Sequence, residues 1–457
     1  MRHHDLLIVG TGSGNSIVDD RFSHLDVAIV EQGTFGGTCL NVGCIPTKMF
    51  VHTADLASAT RGSARFGVDA HVDKVRWIDI RDRIFGRIDP ISAAGASYRR
   101  ESNHVTVYDE HARFTGARRL VLAGGQELEA DRIVIAAGSR AVIPDVPGLA
   151  ETAFHTSDTV MRIDALPASI VVLGGGVIAA EMAHVFSALG TRVTVIARSP
   201  RLLMAEDRDV SERFTDLAGR RWDLRVSTQV LKVEDVGGTS RLHLASAEDH
   251  TDRGSVDTEV VLVATGRVPN ADRLEVAASG VTTHSDGRVI VDAQQRTVVP
   301  GIWALGDVSS LYQLKHVANH EARVVQHNLL HPESPIMSDH RYVPHAIFTS
   351  PQIAAVGSTE AELLSSGTAY LTGMEGYGSI AYGWAMEDTT GFAKVLADPA
   401  SGLLLGAHII GPQASSVIQP LIQAMHFGLP ALEMARGQYW IHPAMPEVVE
   451  NALLNLA

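Results

Sequence analysis

Twice in this chain an apolar, strand-like run breaks on a glycine-rich turn and continues as a helical stretch. The first is HDLLIVGTGSGNSIVDD (4–20), where the run 6–9 meets Gly10-x-Gly12-x-Gly14. The second is ASIVVLGGGVIAAEMAHVF (168–186), where Gly174-x-Gly176-x-x-Ala179 follows a strand and opens a helix. Glycines at these places turn the chain tightly, let the backbone approach a pyrophosphate and point a helix N-terminus at its charge. The strand that follows must return parallel through a crossover, which commits each neighbourhood to a parallel α/β sheet. Two such stretches predict an α/β protein with two Rossmann-like nucleotide-binding domains.

The ends of the following strands refine this. DVAIVE (26–31) ends on Glu31, placed to accept from ribose hydroxyls. Asn15 stands where the third glycine of the fingerprint is usual, which puts close helix–strand packing there in question. In the second unit the strand 192–196 ends on Ala197 and Arg198, with no carboxylate at its tip. Arg198 and Arg201 stand instead where a 2′-phosphate would be met, so the expected nicotinamide is NADPH; solvated arginines are the plainer reading. Three more strand–turn junctions, at 133–141, 260–274 and 301–310, carry Gly138, Gly266 and Asp307. Asp307 is placed to accept from a sugar-alcohol chain. The resulting map puts a first domain at 1–147 and 269–337, the second nucleotide domain inserted at 148–268, and an α/β tail at 341–457 behind a Pro- and His-rich linker.

A formal charge of −14 argues against nucleic acid or an anionic membrane as a main partner. No apolar run approaches the ~20 residues that span a bilayer. The opening MRHHDLLIVG enters a strand-like run almost at once, with no small-residue cleavage site after it, so a cytoplasmic protein is expected.

The chain of 457 residues has only two cysteines, Cys39 and Cys44, in FGGTCLNVGCIPTK. A bridge this short closes a small loop and adds only about 2 kcal/mol. Zinc would need two further ligands, and four intervening residues are not its usual spacing. On spacing alone a structural pair, inert thiols, half a metal site and a redox couple all stay open; no metal is expected.

In this order, Gly10-Thr-Gly12-Ser-Gly14 with Glu31, GGTCLNVGCIPTK, GGGVIAAE, ATGRVPN, ALGD and HPAMPE resemble the pyridine nucleotide–disulfide oxidoreductases across almost the whole chain. The glycine loop and the dithiol segment look most like the mycothione-reducing branch. The resemblance implies FAD in the first domain, held by Gly10, Gly12, Gly14, Glu31, Thr38, Gly138 and Asp307. It implies NADPH in the second, held by Gly174, Gly176, Ala179, Arg198, Arg201 and Gly266, and a C-terminal α/β dimerisation domain. Cys39 and Cys44 would cycle between disulfide and dithiol, with Cys39 attacking the substrate and Cys44 forming a charge-transfer thiolate beside the flavin. Both are expected at the start of a helix, whose dipole favours thiolate. Lys48 would pair with Glu181.

His442, in IHPAMPE, would protonate the leaving thiolate, and Glu447 would hold its other ring nitrogen. In the family this histidine comes from the partner subunit, which implies a homodimer acting on a small-molecule disulfide to keep a cytosolic thiol pool reduced. Tyr439 and Trp440 are expected to pack, and Met425, His426 and Phe427 to lie in the interface. Lipoamide dehydrogenase or glutathione reductase activity is the alternative, and a flavin-binding sensor or scaffold subunit the non-enzyme reading. Ala197 and Arg198 stand against the first, and the acidic pair Asp19 and Asp20 against the second. The presence of both Cys39/Cys44 and His442/Glu447 stands against the third.

Overall fold

The computed structural model describes residues 1–456. Its centre is the strand Arg2–Val9, whose Leu6, Leu7 and Ile8 are fully buried. Burial on both faces is what a continuous apolar run demands and what a parallel sheet covered on two sides supplies. Val27–Val30 and Glu127–Ile135 flank it in parallel, and Val105–Tyr108 extends the first edge. Arg119–Leu122 and Ala112–Gly116 add antiparallel strands on the other side. Ile302–Ala304 returns from far along the chain to pair with Glu127–Ile135.

One expected element is nearly absent. Between Arg2–Val9 and Val27–Val30 the crossover holds only two 3₁₀ turns, Gly14–Ser16 and Asp20–Phe22. The sequence GNSIVDDRFS offers poor helix formers. Moreover, Arg99, buried on the helix Trp77–Glu101, takes the carbonyls of Asn15 at 2.6 Å and Val18 at 2.8 Å. Those carbonyls are then not available to a helical ladder. The packing in question at Asn15 is met otherwise: its Oδ1 accepts from Arg99 Nε at 2.7 Å. Close approach falls to Gly14, where a Cβ would lie 2.6 Å from that of Ala136.

The middle unit has a second parallel sheet, ordered Asp223–Arg225, Arg192–Ile196, Ser169–Leu173, Val260–Val263 and Phe154–His155. An antiparallel sheet of Thr228–Asp235, Ser240–Ser246 and Asp252–Thr258 packs on it through Val233, Leu242 and Leu244. A short ladder between Ser139–Ala141 and Arg267–Pro269 ties the chain where it enters and leaves this unit. The C-terminal unit is an antiparallel sheet of five strands. Helices Gln419–Phe427 and Glu447–Leu454 bury Leu421, Met425, Val448 and Val449 in its core. Met425 is thus core of its own unit rather than interface.

A polar knot joins the middle and C-terminal units. Lys394, 1% exposed, donates to Asp207 at 2.9 Å and to Asp209 and Glu360 at 2.7 Å each. No described helix is long and apolar enough to cross a membrane.

Candidate active site

The dithiol segment is pressed against the first glycine loop. Gly36 and Gly37 have φ of +103° and +71°, and a Cβ on Gly37 would stand 2.6 Å from the Gly12 Cα. The following chain forms two helices rather than one. Cys39 lies in Gly37–Asn41, and Cys44 is the first residue of Cys44–Gly62. The sulfurs are unbonded. The Cys44 thiol donates to Cys39, whose sulfur also faces the N–H groups of Cys44 and Ile45 at the start of the longer helix.

With Lys315 near by, these contacts outweigh burial and lower the Cys39 thiol to about 7. Cys44, which gives its hydrogen to Cys39 and is itself desolvated, is pushed strongly up. Expectation put a charge-transfer thiolate on Cys44 beside the flavin, which is a separate matter from which thiol of the pair ionises first. The chain's own groups put the first negative charge on Cys39, because it is Cys39 that the helix N-terminus and the lysine face.

Both cysteines line a cavity of about 780 Å³. It runs from Gly12, Ser13, Thr38, Gly138 and Asp307 in the first unit to Val177 and Glu181 in the second. Glu31 braces the loop: Oε2 accepts from Thr11 N at 2.9 Å and Thr11 Oγ1 at 2.6 Å, and Oε1 accepts from Gly33 N at 2.8 Å. Gly10 makes the tight turn, with φ +103° and a Cβ position 2.3 Å from the Ala136 oxygen. A Cβ on Gly12, by contrast, would meet nothing nearer than 3.9 Å, so this face of the loop is open. Asp307 accepts from Ser139 Oγ at 2.7 Å. A tight turn, an open glycine face and an aspartate bordering the cavity fit a flavin dinucleotide.

The second unit repeats the pattern. Gly174 is packed, its Cβ position 2.2 Å from the Ala264 oxygen, while Gly176 and Gly266 have open space. Ala179, 1% exposed, lets the helix Val177–Leu189 sit close on its sheet. Arg198 is exposed and makes no hydrogen bond. Arg201 is partly engaged, 3.4 Å from Ser211 Oγ and 3.5 Å from Glu212 Oε1. The free guanidinium beside Ala197 fits a 2′-phosphorylated nicotinamide dinucleotide.

Lys48 and Glu181 both line the cavity but form no ion pair. Phe348 contacts both: Lys48 Nζ sits 3.8 Å from its ring centroid, and its backbone N–H donates to Glu181 at 2.8 Å. Desolvation raises the Glu181 carboxyl to about 7, against the Phe348 hydrogen bond and the Lys48 charge. Desolvation likewise lowers Lys48.

His442 Nδ1 is 2.7 Å from Glu447 Oε1, and Glu447 Oε2 accepts from Ala444 N at 3.0 Å. Burial would raise the Glu447 carboxyl, but these hydrogen bonds outweigh it and hold it below its ordinary value. The pair stands outside the cavity, and the imidazole is 70% exposed. Close by in the chain, Tyr439 and Ile441 are 104% and 78% exposed. Trp440 packs on the C-terminal core, whereas Tyr439 is fully exposed on the single chain. Sequence reading missed Lys315, whose Nζ donates to Ser13 Oγ at 2.8 Å at the edge of the cavity. Its only signal is a cation opening a helix directly after the Asp307 junction.

The family described as pyridine nucleotide-disulphide oxidoreductase matches residues 4–322, and its dimerisation domain matches residues 343–453. Mycothione reductase of Mycobacterium tuberculosis is 56% identical over 465 residues, covering 100% of both chains. Dihydrolipoyl dehydrogenase of Halobacterium salinarum is 31% identical over 98% of this chain and 95% of its own length. Among solved structures, the HOCl-induced flavoprotein disulfide reductase RclA of Escherichia coli superposes with a TM-score of 0.85 at 25% identity, over 98% of this chain and 99% of its own.

Proposed function

Because the chain belongs to the pyridine nucleotide–disulphide oxidoreductases, dimerisation segment included, we propose that it is an NADPH-dependent, FAD-containing reductase of mycothione, the disulfide of mycothiol. The observation that carries this reading is the thiol pair lining one cavity with the open glycine loop, its Cys39 member lowered to about 7. The full-length identity of 56% to mycothione reductase supports the substrate. Bound FAD supplies the two-electron relay between the nicotinamide and the Cys39–Cys44 pair.

The chain's own groups do the rest. Cys39 thiolate attacks one sulfur of the substrate, forming a mixed disulfide and expelling the first thiol, which takes its proton from His442. Cys44 then attacks the Cys39 sulfur. The second thiol leaves, and the Cys39–Cys44 bond re-forms. Glu447 holds the imidazole by Nδ1, leaving Nε2 to face the substrate, and stabilises its cation. His442 stands exposed outside its own chain's cavity, which supports the reading that it serves the partner's dithiol in a homodimer. Arg198, free at the tip of the second sheet, selects the 2′-phosphate. The setting that suits a thiol-pool reductase is the cytoplasm.

The test is a panel of mycothione, glutathione disulfide and lipoamide, each assayed with NADPH and NADH on the purified protein. Turnover of mycothione with NADPH is expected to exceed every other pairing. Preference for NADH would overturn the role of Arg198, and faster reduction of glutathione disulfide would overturn the substrate.

A further inference from the structure

We infer that Lys315 is a cation of the cofactor cradle: its ammonium holds the diphosphate of the flavin dinucleotide at the first glycine loop, in place of the helix N-terminus that this chain lacks there. The inference rests on the FAD reading above and goes beyond it by naming a residue and a substitution of one charge source for another.

Three observations carry it. First, the loop is followed by a 3₁₀ turn of three residues, Gly14–Ser16, and no α-helix. A single short turn has no run of aligned peptide dipoles to set against a dianion. The carbonyls that would have built that helix are bound to Arg99.

Second, Lys315 reaches the loop from the opposite side. It is the first residue of the helix Lys315–Leu330 and lines the same cavity as Gly12 and Ser13. Its Nζ donates to Ser13 Oγ at 2.8 Å, and that hydroxyl donates in turn to Asn319 Oδ1 at 3.0 Å, one helical turn further on. The lysine is thereby held over the buried residue between the second and third glycines, where the backbone comes nearest a bound diphosphate.

Third, among the described residues no carboxylate pairs with the ammonium, and the Cys39 thiol is the one acidic group it is seen to influence. In a chain with 52 acidic against 38 basic residues, this half-buried cation meets a neutral hydroxyl and forms no ion pair with a carboxylate. It has three donors, and one is used. A partly desolvated cation with free donors facing a cavity is completed by an anion.

The test follows release of FAD from the holoenzyme by flavin fluorescence on dilution, at low and at high salt. Lys315→Gln should release FAD about tenfold faster than wild type at low salt, the loss of one charge-assisted hydrogen bond. Lys315→Arg should restore retention, Ser13→Ala should fall between, and high salt should narrow the difference. The rate of thiol alkylation in the reduced protein is measured alongside.

Unchanged FAD release in Lys315→Gln overturns the inference. Unchanged release with slowed alkylation overturns it in a particular way, because the cation then serves Cys39 alone. A wild-type protein that holds no FAD overturns the family reading and this inference together. Wild type that holds FAD beside a Lys315→Gln variant that holds it as firmly overturns this inference alone.

Discussion

A thiol in a chain of net charge −14 ionises near neutrality only if its immediate neighbours oppose the global field. Cys39 has such neighbours in the Cys44 thiol, the N–H groups of Cys44 and Ile45, and Lys315. Alkylation of the reduced protein by iodoacetamide should therefore begin at Cys39 and rise with pH through a midpoint of about 7, since only the thiolate reacts. Cys44→Ala removes the largest of these contributions and should move the midpoint upward. A midpoint near that of an ordinary thiol in the wild type would show that the pair does not share its proton in this way.

The imidazole gives a second prediction at this scale. His442→Ala should slow the disulfide-dependent half of turnover by about 10²- to 10⁴-fold while leaving reduction by NADPH within about twofold. Equal slowing of both halves, measured by stopped flow, would contradict an acid–base role. Residues whose juxtaposition follows from a fixed spacing were legible: Cys39 with Cys44, His442 with Glu447, and the glycines that must turn. Lys315 was not, because a lone lysine carries no spacing and its meaning lies in what is missing across the cavity. Lys48 and Glu181 feel each other's charge, as the resemblance led one to expect, but sequence does not show that Phe348 contacts both, with its ring on Lys48 and its N–H on Glu181.

At the scale of elements, apolar runs 6–9, 170–173 and 261–263 announced the parallel strands, since a strand buried on both faces cannot alternate. The missing crossover helix was not legible. Asn15 marked the place as unusual, but the cause is Arg99, more than eighty residues away on a helix that lies across the loop. The knot around Lys394 is equally silent in sequence, since its carboxylates come from the ends of two different units.

That knot gives a stability prediction. Asp207 is fully buried, and its burial penalty is outweighed by Lys394, His408 and the Glu360 N–H, so its carboxyl sits below the ordinary value, while the three carboxylates raise Lys394. Lys394→Met leaves Asp207 as an uncompensated buried charge and should cost about 3–5 kcal/mol in a denaturant melt. Adding Asp207→Asn should recover part of the loss. The sign of the pH dependence is fixed. Asp207 stabilises above the ordinary carboxylate value and loses its contribution as pH falls through its depressed folded value. Lys394 contributes fully at any pH below the ordinary lysine value. Wild type should thus lose more stability on acidification than the Lys394→Met, Asp207→Asn double variant, and parallel acid profiles would show that the knot carries little.

At the scale of the whole molecule, one chain holds the thiols in a cavity and the imidazole outside it, on a segment whose Tyr439 and Ile441 are also exposed. Exposed large apolar side chains on the matched dimerisation segment suit an interaction surface. In a two-fold dimer a patch of this kind faces its own copy, and the proposed mechanism has each His442 delivered across the interface to the other chain's dithiol. The arrangement separates two explanations of inactivity that no single variant can. Cys39→Ser and His442→Ala homodimers are each expected to be inactive. Unfolding and refolding a 1:1 mixture makes hybrids half of all dimers. In each hybrid one site has lost both groups, and the other combines the intact dithiol of the His442→Ala chain with the imidazole of the Cys39→Ser chain. With one of two sites working in half the population, the mixture should regain about a quarter of wild-type activity. Ile441→Asp placed in both chains should abolish that recovery and shift the protein to monomer in sedimentation, while the flavin stays bound. A mixture that regains nothing, although sedimentation and tagged pull-down show that hybrids have formed, would mean that the imidazole serves the thiols of its own chain.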